Sequence, residues 1–495
     1  MRDLKAVLAH FAIDILPSHS EFLVADLRLD SRSVVQHDVF VALAGHQVHG
    51  AAFIQTALAQ GAACALVDAA VKLDFTDERV FAIADLEARI AELAHYFYQS
   101  PSQTMQLVGV TGTNGKSTTT TMIANLATAC GKQGAVIGTL GFGQPHKLTA
   151  LANTTPAHVD VARILAQLQA DNVQVVAMEV SSHGLAQGRV AGCQFKVGVF
   201  TNLSRDHLDY HGDMASYAGA KQQLFTRYQP SVAVLNGDDE VAQTWLKTPA
   251  SLAPNCVVYG QKQTSLAANL RYVWIVNSQF DKHGSRCQFK TSWGDCDIHT
   301  ALYGEFNLYN LAAAFATLLS LGITLPALAK AAQTLSPVAG RMQAFSAMQQ
   351  PTCVVDYAHT PDALAQALKA LQQHVPGKVT CVFGCGGDRD KGKRPQMAAI
   401  AEQYADTVVI TSDNPRSEDP QAIINDVLAG LKHPERAFVE ADRGAAIRLA
   451  IQHADADSVV LVAGKGHEDY QIIGNQVLPF CDRSWVQQLL AEATA

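Results

Sequence analysis

The sequence predicts an α/β protein of three domains, residues 1–87, 88–337 and 338–495, and three observations carry that prediction. Its 495 residues exceed one ordinary core, since domains of roughly 100–200 residues divide such a chain into about three. In the middle and last segments, short apolar runs end abruptly in polar or Gly residues and give way to helical patterns. Those runs are continuous and rich in β-branched residues, which suits strands buried on both faces of a mostly parallel sheet; ligands bind beyond the carboxyl ends of such strands.

Composition narrows the class. Apolar residues make up 48% and charged residues 17%, as in globular proteins. A formal net charge of -8 argues against non-specific attraction to nucleic acid or anionic membrane, so a phosphate-bearing ligand must be met by local cations. The 10 cysteines form no C-x-x-C pair, and the nearest two, Cys381 and Cys385, lie in an apolar run, which reads as structural thiols in a reducing compartment. Lys5, His10 and Asp14 interrupt any apolar signal core, so a cytoplasmic location is expected. The charge-free stretch 306–329 is broken by Asn307, Asn310, Gly322 and Pro326 and reads as a buried helix followed by a turn, with no membrane insertion. No short-period repeat or low-complexity tract supports a solenoid or a disordered scaffold.

The expected strands follow in order. In the middle segment they are 107–110 before Thr111-Gly112, 175–178 before Glu179, and 197–200 before Thr201-Asn202. In the last segment they are 353–355 before Asp356, 379–383 before Gly384, 408–410 before Thr411, and 459–462 before Ala463-Gly464.

After the first of these strands comes Gly112-Thr113-Asn114-Gly115-Lys116-Ser117-Thr118, leading into a helix that Gly131 can end. Glycines let backbone N–H groups turn toward a polyphosphate, the helix N-terminus adds a favourable dipole, Lys116 reaches terminal phosphates, and the Ser117 hydroxyl suits magnesium. The common G-x-x-x-x-G-K-[ST] spacing fails, because Val110 stands where its first glycine belongs. Glu179 closes a buried strand, where a carboxylate needs a cation; a salt bridge and magnesium are both open readings. In Thr201 to Gly212, His207 and His211 stand four apart as in a zinc protease, but Leu208 occupies the place of that motif's glutamate, which leaves His207 as a magnesium ligand or phosphate neighbour.

Taken together and in order, the Gly112 to Thr118 loop, Glu-Val-Ser-Ser-His at 179–183 and Thr-Asn-Leu-Ser-Arg-Asp-His-Leu-Asp-Tyr-His at 201–211 resemble the Mur ligases. The resemblance continues through Tyr217 to Lys221, Gly304 to Asn310, Gly340-Arg341-Met342 and Asp356 to Pro361, and so spans nearly the whole chain. It implies an N-terminal uridine-nucleotide-binding domain, a central ATPase-like domain and a C-terminal Rossmann-like domain that binds an amino acid. ATP is then expected on the Gly112 to Thr118 loop with Asn307 and Arg341, and two magnesium ions on Ser117, Glu179, His207 and a carbamylated Lys221. From the residues alone, Lys221 is an ordinary solvated helix lysine. Leu29, Ser31, His46, Gln47 and Val48 resemble uridine contact loops, and Asn153, Thr154, Thr155, Ser181, Gln187 and Arg189 match positions that bind the muramoyl peptide.

Three loops close the expected site: Gly384 to Lys391, Asp413-Asn414-Pro415-Arg416, and Gly464-Lys465-Gly466-His467-Glu468. Asp-Asn-Pro-Arg resembles the determinant of the diaminopimelate-adding branch, in which Arg416 grips the distal carboxylate that lysine lacks, Glu468 accepts from the distal ammonium and Arg389 holds the other carboxylate. An arginine left unpaired by lysine supports discrimination by a factor of roughly 10⁴. The implied reaction adds meso-diaminopimelate to UDP-N-acetylmuramoyl-L-alanyl-D-glutamate through an acyl phosphate, by a monomer with no nucleic-acid partner. Two rivals are a folylpolyglutamate synthetase, which shares the phosphate loop but lacks the Asp-Asn-Pro-Arg element, and a regulatory ATPase that needs no amino acid.

Overall fold

The computed structural model describes residues 1–13, 22–45, 48–263 and 270–492. The chain divides into two compact units, one of residues 1–235 with 239–257 and one of 236–238 with 258–495.

The first unit opens with a parallel sheet of Leu27–Arg28, Val39–Ala42, Cys64–Asp68 and Val80–Ile83, paired in chain order. Val39, Val41, Cys64 and Leu66 face helix Leu86–Phe97, while Phe40, Ala42, Ala65 and Val67 face helix Ile54–Ala59. Burial on both faces accounts for the unbroken apolar runs of the two middle strands, Val39–Ala42 and Cys64–Asp68, up to Asp68. Val159 and Ala162 of helix His158–Ala170 join the core that Leu86–Phe97 covers.

A second sheet in this unit centres on Gln106–Thr111, flanked in parallel by Val175–Glu179 and Val197–Phe200. Gly134–Gly138 and Val232–Asn236 extend it in parallel, and Gly141–Gln144 and Lys147–Thr149 close one edge as an antiparallel pair. Register places Glu179 opposite Val110 and Phe200 opposite Thr111, so all three central strands release their loops at one edge.

The second unit contains a meander the sequence reading did not contain: Arg271–Asp281, Gly284–Thr291 and Gly294–Thr300, all antiparallel. Buried and exposed positions alternate along 285–291 and 298–300, as expected where one face is covered, while Val273, Trp274 and Ile275 of the first strand are buried in succession. Phe289 meets Phe315 of helix Glu305–Ser320 edge to face at 5.1 Å. Stretch 306–329 holds the expected buried helix, Glu305–Ser320, and its turn, and then the start of a further helix, Leu325–Ala332, with Pro326 in its first turn. Among the described residues no helix is long and apolar enough to cross a membrane.

Last comes a six-stranded sheet in the order Gln343–Phe345, Thr352–Asp356, Val459–Ala463, Val379–Phe383, Thr407–Ile410, Phe438–Val439, parallel except for its first pair. Helices Pro361–His374, Lys393–Tyr404 and Pro420–Leu428 cover one face, and Arg443–His453 and Asp482–Glu492 the other. Because the latest of its long strands, Val459–Ala463, inserts between the two earliest parallel ones, the loops after Asp356, Phe383 and Ala463 share one crevice edge. All seven strands expected from the sequence are present with ends within one residue, and helix Lys116–Ala129 stops just before Gly131, whose φ is +82°.

Candidate active site

The loop after Gln106–Thr111 is braced by the segment that follows Val197–Phe200. The Asn114 N–H donates to Asn202 Oδ1 at 2.9 Å, the Thr201 hydroxyl donates to the Asn114 carbonyl at 2.6 Å, and the Ser204 N–H donates to Thr113 Oγ1 at 3.0 Å. Glycine is required at 112, where φ is +150° and a Cβ would collide with the Thr201 hydroxyl. Gly115, with φ +85°, caps the helix that begins at Lys116, and Ser117 and Thr118 are buried in its first turn. Lys116 Nζ turns back onto the carbonyls of Gly112 and Thr113, at 2.9 and 2.8 Å.

Lys221 corrects the residue-level expectation of a solvated helix lysine. It is 1% exposed, donates to the same Gly112 carbonyl at 2.8 Å, and lies 4.4 Å from the Tyr217 ring centroid. Burial, and then the neighbouring Lys116 charge, push its pKa well below the ordinary lysine value. The solvated reading failed because helix Met214–Thr226 packs its Lys221 face inward beside the phosphate loop.

Glu179 is 2% exposed and accepts from the Thr139 N–H at 2.9 Å and its hydroxyl at 3.3 Å. Neither contact is cationic, and among the described residues no ion pair includes Glu179, which removes the salt-bridge reading and leaves a carboxylate fit for a metal cation. A Cβ on Gly138 would collide with that carboxylate. His207 is half exposed, 3.4 Å from Asp206, and its ring centroid is 4.9 Å from His183. Among the described residues no three His, Cys, Asp or Glu side chains form a ready metal cage. Magnesium does not need one: it keeps several waters and uses one or two protein oxygens plus substrate phosphates.

The sequence reading missed the aromatic link between these parts. His183 lies 4.2 Å from Tyr210 and 5.5 Å from His211, His211 lies 5.1 Å from Tyr217, and the Tyr217 hydroxyl reaches Thr113 Oγ1 at 3.2 Å. Burial, then neighbouring cations, lower the pKa of His183 and His211 and favour their neutral forms. His183 and Tyr217 stood inside quoted motifs; that signal alone could have marked them.

Beside Glu179, five of the six residues expected to hold the peptide form one hydrogen-bonded group. Thr155 donates to the Glu179 carbonyl at 2.9 Å and accepts from the Ser181 N–H at 3.0 Å, while Thr154 and Thr139 hydroxyls meet at 3.0 Å. Arg189 donates to the Thr155 carbonyl and to Gln187 Oε1, both at 2.9 Å, and Gln187 donates to the Tyr210 hydroxyl at 3.2 Å. Asn153 is exposed on the loop before them. On the N-terminal sheet, Leu29 follows strand Leu27–Arg28 and Ser31 opens a short helical turn capped by Asp30. Val48 is exposed, and His46 and Gln47 lie outside the described residues.

In the second unit, Asn307 is buried, with its amide donating to the Tyr303 carbonyl at 2.8 Å and accepting from Asn310 at 3.1 Å. The Arg341 guanidinium lies 4.4 Å from the Tyr357 ring centroid, which also meets His359 at 4.6 Å and His467 at 5.0 Å.

At the crevice edge, Asp413, Asn414 and Pro415 are buried and Arg416 adopts a left-handed φ of +52°. Asn414 donates to Glu468 Oε2 at 2.9 Å, and Arg416 Nη1 donates to the Gly387 carbonyl at 2.8 Å. A Cβ on Gly386 would lie 2.9 Å from Arg416 Nη1 and 3.7 Å from Arg389 Cγ, so one glycine turn brings both arginines together. Gly464, with φ +114°, sits against Asp413 Oδ2, which a Cβ would approach to 2.6 Å. Burial raises the Asp413 pKa, opposed by the Arg443 and Lys465 charges.

The chain matches the Mur ligase family catalytic domain over residues 24–98, the Mur ligase middle domain over 110–318 and the Mur ligase glutamate ligase domain over 340–466. It is 45% identical over 485 residues to a UDP-N-acetylmuramoyl-L-alanyl-D-glutamate--2,6-diaminopimelate ligase of Vibrio vulnificus (strain YJ016), covering 96% of each chain. The enzyme of that name from Vibrio cholerae serotype O1 is 46% identical over 481 residues, covering 96% of this chain and 95% of the relative. A solved structure of a ligase of the same name superposes with a TM-score of 0.70 at 33% identity, over 100% of both chains.

Proposed function

The chain belongs to the Mur ligase family, and on that premise we propose how its own residues carry the family's reaction. It is an ATP-dependent, amide-bond-forming ligase of peptidoglycan synthesis that adds 2,6-diaminopimelate to UDP-N-acetylmuramoyl-L-alanyl-D-glutamate.

The observation that carries the reading is the shared strand edge: the phosphate loop, Glu179 and the 201–207 segment leave adjacent strands side by side, with Lys116 and Lys221 directed at the Gly112 carbonyl. We assign residues 1–87 to the uridine nucleotide through Leu29, Ser31, His46, Gln47 and Val48, 88–337 to ATP, and 338–495 to the amino acid. Loop N–H groups from Gly112 to Thr118 hold the phosphates and Lys116 neutralises them, with Asn307 and Arg341 completing the nucleotide contacts. Asn153, Thr154, Thr155, Ser181, Gln187 and Arg189 orient the muramoyl dipeptide so that its D-glutamyl side-chain carboxylate attacks the γ-phosphate. That attack yields an acyl phosphate and ADP; the amine of meso-diaminopimelate then displaces phosphate.

Ser117, Glu179, His207 and a Lys221 carbamate would hold magnesium, which would supply charge neutralisation at the transferring phosphoryl group. The depressed Lys221 pKa supports the carbamate, because the neutral amine is the form that reacts with carbon dioxide. Arg416 takes the distal carboxylate of the diamino acid, Arg389 the other, and Asp413, Asn414, Pro415, Gly464 and Glu468 complete its pocket. The enzyme works as a cytoplasmic monomer on small molecules, with no nucleic-acid partner and no membrane insertion.

Phosphate release by purified protein with ATP, magnesium and the UDP-muramoyl dipeptide tests the reading. Turnover that requires diaminopimelate supports it; turnover without an amino acid favours a regulatory ATPase instead.

A further inference from the structure

Behind the loop expected to read the amino acid lies a layer that the reaction has not yet used. Lys465 has a side chain with 0% exposure, and its ammonium donates to Glu468 Oε2 at 2.9 Å and to Asn414 Oδ1 at 3.1 Å. Asn414 closes the triangle by donating to the same Glu468 Oε2 at 2.9 Å. All contacts made by the Glu468 carboxylate among the described residues fall on Oε2, which keeps Oε1 for an incoming ammonium.

The hairpin Tyr470–Ile473 and Gln476–Pro479 supplies the rest of the layer. The Ile472 N–H donates to Asn414 Oδ1 at 2.9 Å and Gln471 Nε2 donates to the Asp413 carbonyl at 2.7 Å. Arg416 is held by its backbone on both sides: its N–H donates to the Ile472 carbonyl at 3.0 Å and its carbonyl accepts from the Gly474 N–H at 2.7 Å. A left-handed, non-Gly residue persists where its surroundings over-determine it, and these two bonds do that for Arg416. Tyr470 lies under the Lys465 ammonium, with Nζ 5.4 Å from its ring centroid.

We propose that Lys465 and Gln471 are positioning residues for amino-acid recognition: Lys465 fixes the Glu468 carboxylate and Asn414 amide, and Gln471 ties the hairpin to the 413–416 loop. The proposal rests on the reading that Glu468 and Arg416 contact diaminopimelate. Removing the buried ammonium frees the Glu468 carboxylate to rotate and leaves Asn414 one donor short, while the phosphate loop of the other compact unit keeps all its bonds.

Steady-state kinetics with all three substrates varied separately test this on Lys465→Gln, Gln471→Ala, Glu468→Gln and the Lys465→Gln/Glu468→Gln pair. Lys465→Gln is expected to raise KM for meso-diaminopimelate about 10- to 100-fold and Gln471→Ala about 3- to 10-fold, with KM for ATP and for the UDP-muramoyl dipeptide within twofold of wild type. If Lys465 acts through Glu468, the double variant is no worse than about twofold beyond the poorer single one. Equal changes in all three KM values, or no change in that for diaminopimelate, overturns the proposal. Should Lys465→Gln fail to fold, Gln471→Ala decides by the same readout. A normal KM for diaminopimelate in Glu468→Gln instead overturns the underlying site reading, whatever the other variants do.

Discussion

Two side-chain nitrogens, those of Lys116 and Lys221, share the single carbonyl oxygen of Gly112. A second ammonium this close to Lys116 and this deeply buried is costly, which favours the neutral Lys221 amine and leaves Lys116 as the cation for a polyphosphate. Lys116→Met is expected to lower kcat by about 10²- to 10³-fold, the cost of removing one donor from developing phosphoryl charge, with KM for diaminopimelate little changed. Lys221→Met separates function from stability. Its polar nitrogen is buried against Tyr217, so the thioether is expected to leave the thermal midpoint unchanged or raised while activity falls by a similar 10²- to 10³-fold. Melting curves and initial rates on the same preparation check both halves. At this scale the sequence was read unevenly. Gly112, Lys116 and Glu179 declare themselves through a glycine loop and a carboxylate at a strand end, whereas Lys221 looks like any lysine on a polar helix. His183, His211 and Tyr217 meet only because three separate segments converge, and no local pattern encodes that.

Helix-to-loop and helix-to-helix ion pairs hold the last sheet's loops in place. The fully buried Arg394 guanidinium bonds Glu418 twice, at 2.8 and 3.0 Å, and Asp426 at 2.8 Å, joining helix Lys393–Tyr404 to the approach and body of Pro420–Leu428. Hydrogen bonds from Arg394 hold the Glu418 carboxyl at about 2. A carboxyl depressed in the folded state contributes its stability fully above the ordinary glutamate value of about 4.3 and loses it as pH falls toward 2. Thermal midpoints measured from pH 6 to about pH 2.5 are therefore expected to fall less steeply for Glu418→Gln than for wild type in the acid limb. Between Arg443–His453 and Asp482–Glu492, Arg443 pairs with Asp482 at 2.7 Å with both side chains at 0% exposure. Asp482→Ala leaves that guanidinium buried without its partner and is expected to cost about 3–5 kcal/mol in urea unfolding. Seven parallel strands were legible because burial on both faces makes them uniformly apolar, whereas Val39–Ala42, Cys64–Asp68, Gly134–Gly138 and Val232–Asn236, no less parallel, were not singled out. The 271–300 meander and the 470–479 hairpin were not, since a strand covered on one face mixes polar and apolar residues and Ile473, Val477 and Leu478 lie exposed.

In each of the two larger sheets with parallel strands, the candidate site residues lie at the carboxyl edge. In the first unit those are the loops after Thr111, Glu179 and Phe200; in the second they are the loops after Phe383, Ile410 and Ala463. The three-segment organisation could be anticipated because length and strand grammar reflect burial. The pairing of loops across a sheet could not, since strand order is set by long-range register rather than by neighbours in the chain. The proposed roles of Arg416 and Glu468 make selection the property to test: phosphoryl chemistry common to the family, directed to one diamino acid. The most direct measurement is a competition, with equimolar meso-diaminopimelate and L-lysine offered with ATP, magnesium and the UDP-muramoyl dipeptide, and the products resolved by mass. Wild type is expected to yield the diaminopimelate tripeptide almost alone, and Arg416→Ala to reduce that preference by roughly two orders of magnitude or more. Comparable lysine product from the wild-type protein, or an unchanged preference in Arg416→Ala, would contradict the account.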